Sequence, residues 1–428
     1  MLTLNCSKQH IKKHTKLFSR IVFVAFLTFL SFSAFGQKTL QQAERAFAAQ
    51  NYNDALELYK SYEKEVRDSI QKHPYLLRIA MCYSNLNNPI TAIKYYQLAL
   101  KIDDRLSDEE GLDYINVLIE TGQYHEARSF LENFDGIIYF ENIIFNTCDY
   151  ALQNPDIDNS KQITPIADQK GEAVYGLFLM NGSLYYTIPE LLNKRQNSET
   201  YQYNLTNAKS TRLNYINKNI EKSSLYTPTY NETNKMLYFS DNISNDKVYY
   251  ESIRADQKIG AGGSNNLGIF KLSLDSNNVK GRSEILSFIN FEYNTTHPHF
   301  SPDGKTLYFT TDIPGGYGGY DLYYSTNENG LWSRPINLGA EVNTIMDEGY
   351  PFVIEDKLYF ASKGHPGYGG LDIFEFDLNT REVKNVGKPI NSSFDDFYYI
   401  KTDSHRGYFI SNRDQQDGKD IIYFFEKN

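Results

Sequence analysis

The chain has 428 residues, with 43 lysines and arginines against 53 aspartates and glutamates and a formal net charge of −10. That length exceeds one ordinary compact domain, and the acidic balance argues against duplex nucleic acid as a partner. Three cysteines are too few for a disulfide framework, and 35 tyrosines, 27 phenylalanines and 27 glycines favour repeated strands and turns over a disordered or purely helical chain.

Residues 1–36 read as an export signal. Lys8, Lys12, Lys13, Lys16 and Arg20 precede the apolar run Ile21 to Leu30, and Ala34-Phe35-Gly36 offers small residues at the cleavage-defining positions before Gln37. A membrane anchor is disfavoured because about 20 apolar residues are needed to span and this run is shorter. Cys6 lies in the basic region rather than at the cleavage point, so no lipid anchor is expected. Cleavage removes five positive charges and no negative ones, which makes the exported chain more acidic still. The expected setting is the periplasm, with outer-membrane association open and no integral membrane segment in the mature chain. Cys82 and Cys148 fall in helical stretches and are expected as buried thiols.

Residues 37–153 carry helical patterning with a period near 34, the spacing of tetratricopeptide repeats. Ala55, Ala92 and Ala127 each follow a turn, and each is followed four residues later by a large side chain, Tyr59, Tyr96 or Leu131. A small residue lets two helices approach, and the large one fills the groove to the next pair. Ile138 to Leu152 is expected to cap the stack. Residues 154–161, polar and interrupted by Pro155, are expected to be a linker and hinge between separable folding units.

From 162 to 428 the period changes. A strand motif recurs as Leu184-Tyr185-Tyr186, Leu237-Tyr238-Phe239, Leu307-Tyr308-Phe309, Leu358-Tyr359-Phe360 and Gly407-Tyr408-Phe409. Lead-in strands precede four of these, and glycine-rich loops with a further strand follow, as in Gly318-Gly319-Tyr320-Asp321 and Gly369-Gly370-Leu371-Asp372. Four antiparallel strands repeated at about 50 residues define a propeller blade, which cannot bury both faces alone. Five blades are expected, with an insertion over 246–266. The last blade shows only three strands, so Gln162 to Ile166 is expected to supply its outer strand and close the ring. Pro165 is tolerable there because an outer edge can lack one donor.

The run Ser301-Pro302-Asp303-Gly304-Lys305-Thr306-Leu307-Tyr308-Phe309, with Gly319-Tyr320-Asp321-Leu322-Tyr323 after it, resembles the WD40-like, TolB-type periplasmic propeller repeats. With a tetratricopeptide block and an export signal before it, the chain is similar to the N-terminal part of envelope proteins associated with type IX secretion and gliding. Many of those continue into an OmpA-like peptidoglycan-binding domain. No such domain follows the last blade in this sequence, so no direct peptidoglycan anchor is expected. The resemblance implies architecture more than role.

No Gly-x-Ser-x-Gly elbow, His-Glu-x-x-His, Cys-x-x-Cys or phosphate-binding loop occurs, so no catalytic residue, cofactor or metal ligand is assigned and no enzyme is expected. Asp321, Asp372 and Asp420 read as acceptors for turn amides, with calcium ligation as the lesser alternative, and the acidic run from Asp414 to Asp420 lacks the EF-hand spacing. His297 and His299 flank Pro298 on a strand and could pair on a metal, but packing near the central channel is the favoured reading. The loops Asp312 to Tyr320 and Lys363 to Leu371 should share one rim, which makes Tyr317, Tyr320, His365 and Tyr368 the candidate partner-binding residues. The expected function is a non-enzymatic scaffold that binds an envelope protein or peptide. The alternative is an enzyme or a glycan- or metal-binding protein with its site in the propeller channel.

Overall fold

The turns between helices are set by short polar residues. In the computed structural model, Asn51 accepts from the Asp54 amide and Asn88 from the Thr91 amide, with Pro89 at the first helical position, where its missing N–H costs nothing. The described residues are 38–66, 69–170, 173–190, 197–213, 225–243, 266–275, 278–413 and 419–427. The expected signal segment, all but the last residue of the expected insertion, and residues 414–418 of the acidic run lie outside them. Two compact units are present, one ending at Val117 and one beginning at Leu118.

The first unit holds α1 (38–48), α2 (Tyr52–Glu65), α3 (Ser69–Asn85), α4 (Pro89–Leu100) and most of α5 (Asp108–Glu120). Ala55, Tyr59, Ala92 and Tyr96 are fully buried, as the small-then-large pattern requires. Tyr96 donates its hydroxyl to Asp113 Oδ2 at 2.5 Å, and Ser84 donates to Oδ1 at 2.8 Å, so α5 is tied to both α3 and α4. Ser107 and Glu110 form a reciprocal capping box at the start of α5. Cys82 and Cys148 are free, buried thiols, and burial pushes them up to about 12 and about 11.

The second unit contains the hairpin α6 (Tyr124–Asn133) and α7 (Glu141–Gln153) together with five small antiparallel sheets. The unit boundary therefore falls earlier in the chain than the polar linker where composition changes. The reason is local: the linker is itself hydrogen-bonded to the propeller, from the Asp158 amide to the Lys388 carbonyl at 3.1 Å.

Blade one is β2 (Gly176–Met180), β3 (Ser183–Glu190), β4 (Asn197–Asn204) and β5 (Lys209–Arg212), and blade two is β6 (Tyr226–Asn231), β7 (Met236–Asn242), β8 (Leu267–Asp275) and β9 (Asn278–Ile285). Blade three is β10 (Thr295–Phe300), β11 (Thr306–Thr311) and β12 (Asp321–Glu328), with the short β13 (Leu331–Trp332) and β14 (Ile336–Asn337) both pairing with β12. Blade four is β15 (Glu348–Ile354), β16 (Lys357–Ser362), β17 (Asp372–Asp377) and β18 (Val383–Asn385). Each repeated strand motif lies on the second strand of its blade, where Leu237, Phe239, Leu307, Phe309, Leu358 and Phe409 are wholly buried. Aromatic rings then bridge adjacent blades, as Tyr238 to Phe300 at 4.5 Å and Tyr359 to Tyr399 at 4.9 Å.

Blade five closes as the sequence indicates. Its own strands are β19 (Asp396–Lys401), β20 (Arg406–Ser411) and β21 (Ile421–Lys427), and β1 (Lys161–Pro165) pairs antiparallel with β21, from Lys161 opposite Lys427 to Pro165 opposite Tyr423. The Ile166 amide continues the ladder to the Ile422 carbonyl at 3.0 Å. Ile163 sits opposite Phe425 and packs on the shared core. Replacing it should loosen the clasp: Ile163→Asp is expected to cost about 2 kcal/mol and lower the propeller's thermal midpoint by roughly 4–8 °C. Circular dichroism melting checks this, and an unchanged midpoint would mean that β1 does not hold the ring.

Candidate functional site

Two loops with the same backbone chemistry lie on one rim. In blade three the Asp321 carboxylate accepts from the amides of Tyr317 at 2.6 Å and Gly318 at 3.0 Å, and in blade four Asp372 accepts from Tyr368 at 2.6 Å and Gly369 at 3.1 Å. Asn343 brackets Leu322 through its amide and carbonyl, and Asn391 brackets Ile373 the same way. Asp347 then receives the Tyr320 amide and Asp395 the Leu371 amide. Asp321 and Asp372 are therefore turn acceptors, the reading favoured from sequence. The glycines are needed for close approach. A Cβ on Gly318 would fall inside the Met346 carbonyl oxygen, and one on Gly369 inside that of Ser393.

The environments of the two loops differ. Tyr317 is 49% exposed, and Ile345, on the adjacent connection, is 53% exposed. Tyr320 is only partly covered. Tyr368, at 2% exposure, is enclosed within the second unit. Its hydroxyl donates to the Asn154 carbonyl at 3.1 Å, its carbonyl accepts from Tyr124 Oη at 2.6 Å, and its ring meets Tyr150 edge-on at 5.4 Å. On the neighbouring connection Ser393 donates to the Glu120 carbonyl at 2.7 Å. His365 is taken up by the Val342 carbonyl at 2.9 Å and packs on Phe374. Of the four residues expected to form an open rim, Tyr317 is exposed, Tyr320 is half-buried, His365 is bonded to the Val342 carbonyl, and Tyr368 instead holds the helical hairpin. Nothing in the sequence indicated that Tyr124 of α6 and Tyr150 of α7 would meet this loop.

The channel is narrow. The inner strands β6, β10, β15 and β19 each carry a bulge at Thr227, His297, Tyr350 or Tyr398, all with left-handed φ between 48° and 55°. Such φ values are uncommon outside glycine and turn these side chains out of the regular strand alternation. The His297 ring lies 3.9 Å from that of Tyr350, which contacts Phe397 and Tyr398 at 4.8 Å each. The cavity left among His297, His299, Tyr350, Tyr398 and their neighbours is about 20 Å³, room for one water. Burial lowers His297 to about 3 and His299 to about 4, so both are neutral at physiological pH. Among the described residues no carboxylate lines this cavity, and no group of three or more His, Cys, Asp or Glu side chains could hold a metal ion.

Buried carboxylates lie elsewhere. Glu348 accepts from the Thr344 amide and hydroxyl and from Ser362 Oγ, all at 2.7 Å, yet burial pushes it up to about 7. Burial and the Asp395 charge raise Asp420 to about 7 as well. Asp372 is raised well above the carboxylate range by burial and by nearby Asp396.

Residues 73–105 match the tetratricopeptide repeat family. No curated protein matches the chain. Solved structures to which it is similar include a thermostable family-43 glycoside hydrolase, at 13% identity, 61% of this chain, 91% of that one and a TM-score of 0.37. An endo-arabinanase of the same family from Bacillus licheniformis gives 11%, 60%, 95% and 0.33, and the tricorn protease gives 14%, 59%, 25% and 0.33. The chain thus spans about a quarter of the tricorn protease. By its fold it is a helical-repeat protein with a tetratricopeptide match and a five-bladed β-propeller. Among the described residues no helix is long and apolar enough to cross a membrane.

Two measurements probe this region. The folded state holds the Glu348 and Asp420 protons more tightly than an unfolded chain does, where carboxyls titrate near ~4. The stability linked to those protons is complete below that value and is lost as pH rises through about 7. The propeller's melting midpoint should therefore fall from about pH 5 to about pH 8, and Glu348→Gln should reduce the fall. An equal slope in the variant would show that Glu348 does not carry it. Tyr124→Phe removes one bond worth about 1 kcal/mol and should speed amide exchange in α6 and α7 while leaving blades one to three unchanged.

Proposed function

We propose that the protein is a non-enzymatic scaffold of the bacterial cell envelope, exported to the periplasm and working in a type IX secretion-related assembly, with outer-membrane association left open. Its partner is an envelope protein or peptide, held at the propeller rim and by the helical repeats. One observation carries the interaction reading. Of two rim loops with the same hydrogen-bond scheme, the Tyr368 loop holds a helical hairpin of the chain itself and the Tyr317 loop stands open, with Tyr317 and Ile345 exposed on adjoining segments. An exposed tyrosine and an exposed apolar residue on adjoining segments have the composition of an interaction hot spot. The basic segment followed by an apolar run at the N-terminus supports export, and the TolB-type blade motifs support the envelope setting.

The competing channel reading would need convergent ionisable groups or a metal. It draws no support from a water-sized cavity lined by aromatic rings, prolines and two neutral histidines. The test is comparative capture from cross-linked envelopes. Proteins recovered with the wild type should be lost with the double variant Tyr317→Ala, Ile345→Asp, while melting is unchanged. Equal recovery with both would remove the rim from the proposal.

A further inference from the structure

The second described cavity is unlike the channel. It lies between blades four and five and has a volume of about 310 Å³, within the size range of small-ligand pockets. Its floor is aromatic: Tyr399 stacks on Phe425 at 4.9 Å with an interplanar angle of 6°, and Tyr359 meets Tyr399 at 4.9 Å. Its walls are basic. Lys161, Lys384, Lys401 and Lys427 line it with His405, against one carboxylate, Glu375. The turn from β19 to β20 bounds it, so by strand alternation it opens on the face opposite the glycine loops.

Two features mark this cluster as more than scattered surface lysines. The chain as a whole is acidic, so four cations around one cavity run against its average. Ring closure also sets Lys161 directly opposite Lys427 in the β1–β21 register, and like charges facing across a strand pair are destabilising. Lys161 is partly compensated by Asp158 at 3.3 Å and by the Val386 carbonyl at 3.1 Å. Among the described residues Lys384 pairs with the exposed Glu382 at 3.3 Å, a weak pair, and faces Glu375 across the β17–β18 register. Lys401 lies over the Tyr359 ring at 5.6 Å, and among the described residues neither it nor Lys427 has an acidic partner. Glu375 receives Tyr359 Oη at 2.7 Å and Lys357 at 3.2 Å, and a carboxylate with about four acceptor positions can take further donors.

We propose that this pocket binds a small anionic sugar: a ring bearing a carboxylate or a phosphate for the lysines, and hydroxyls for Glu375, Asn385 and Ser404. A purely polyanionic ligand would leave Glu375 facing like charge, and a neutral sugar would leave the lysines uncompensated. The pocket is separate from the rim, so the scaffold proposal and this one stand or fall independently.

The test is calorimetric titration of the full chain with digalacturonic acid and with glucose 6-phosphate, using galactose, inorganic phosphate and hexaglutamate for comparison. At least one of the two anionic sugars should bind with a Kd below about 1 mM, weakening as salt is raised. Which of them binds identifies the charged group. The affinity should fall about tenfold or more in K401A and in K427A, and galactose should not bind measurably. Melting curves establish that the variants are folded, and K384E, on an outer strand, gives the same readout if K401A is not. Failure of both anionic sugars to bind, equal binding by galactose or inorganic phosphate, or unchanged affinity in folded lysine variants would overturn the proposal. Binding of hexaglutamate alone would also overturn it and give the pocket to an acidic peptide.

Discussion

A blade of four strands has two apolar faces and no means of covering both, so the propeller depends on closing the ring. That closure rests on a five-residue strand from the far end of the domain, β1, set against β21. The aromatic ladder from Tyr359 through Tyr399 to Phe425 depends on it in turn, because β1 supports the strand that carries Phe425. Without β1, β21 would present an unpaired edge, a template for pairing with other chains.

Within this frame, the rim is organised by short carboxylates rather than by bulk. Asp321 and Asp372 gather loop amides, while Asp347 and Asp395 receive amides from the neighbouring blade's loop. The glycine loops of blades three and four are thus each fastened to the connection that leads into the next blade. These bonds restrain the two loops, which suits the first of them to present a side chain such as Tyr317.

The blade count, the placement of the Leu-Tyr-Phe motif on the second strand and the ring-closing segment were all legible in the sequence, because period and pattern depend on local physics. The same holds for Ala55, Ala92 and Ala127 at helix contacts. What could not be read was tertiary. Tyr317 and Tyr368 occupy equivalent places in nearly identical motifs, and only the position of α6 and α7 makes one exposed and the other buried. The interblade pocket was equally hidden, since its lysines come from strands far apart in the chain, among them one at residue 161 and one at residue 427.

The left-handed bulges of the inner strands carry a further consequence. His297, Tyr350 and Tyr398 bring side chains into a cavity of about 20 Å³ between the inner strands, while the Thr227 hydroxyl shares a hydrogen bond with Ser240. Propellers with wide bores can pass or shelter a molecule along the axis. Here the cavity among these rings is water-sized, so a ligand larger than water would meet the propeller at one of its faces rather than in that cavity.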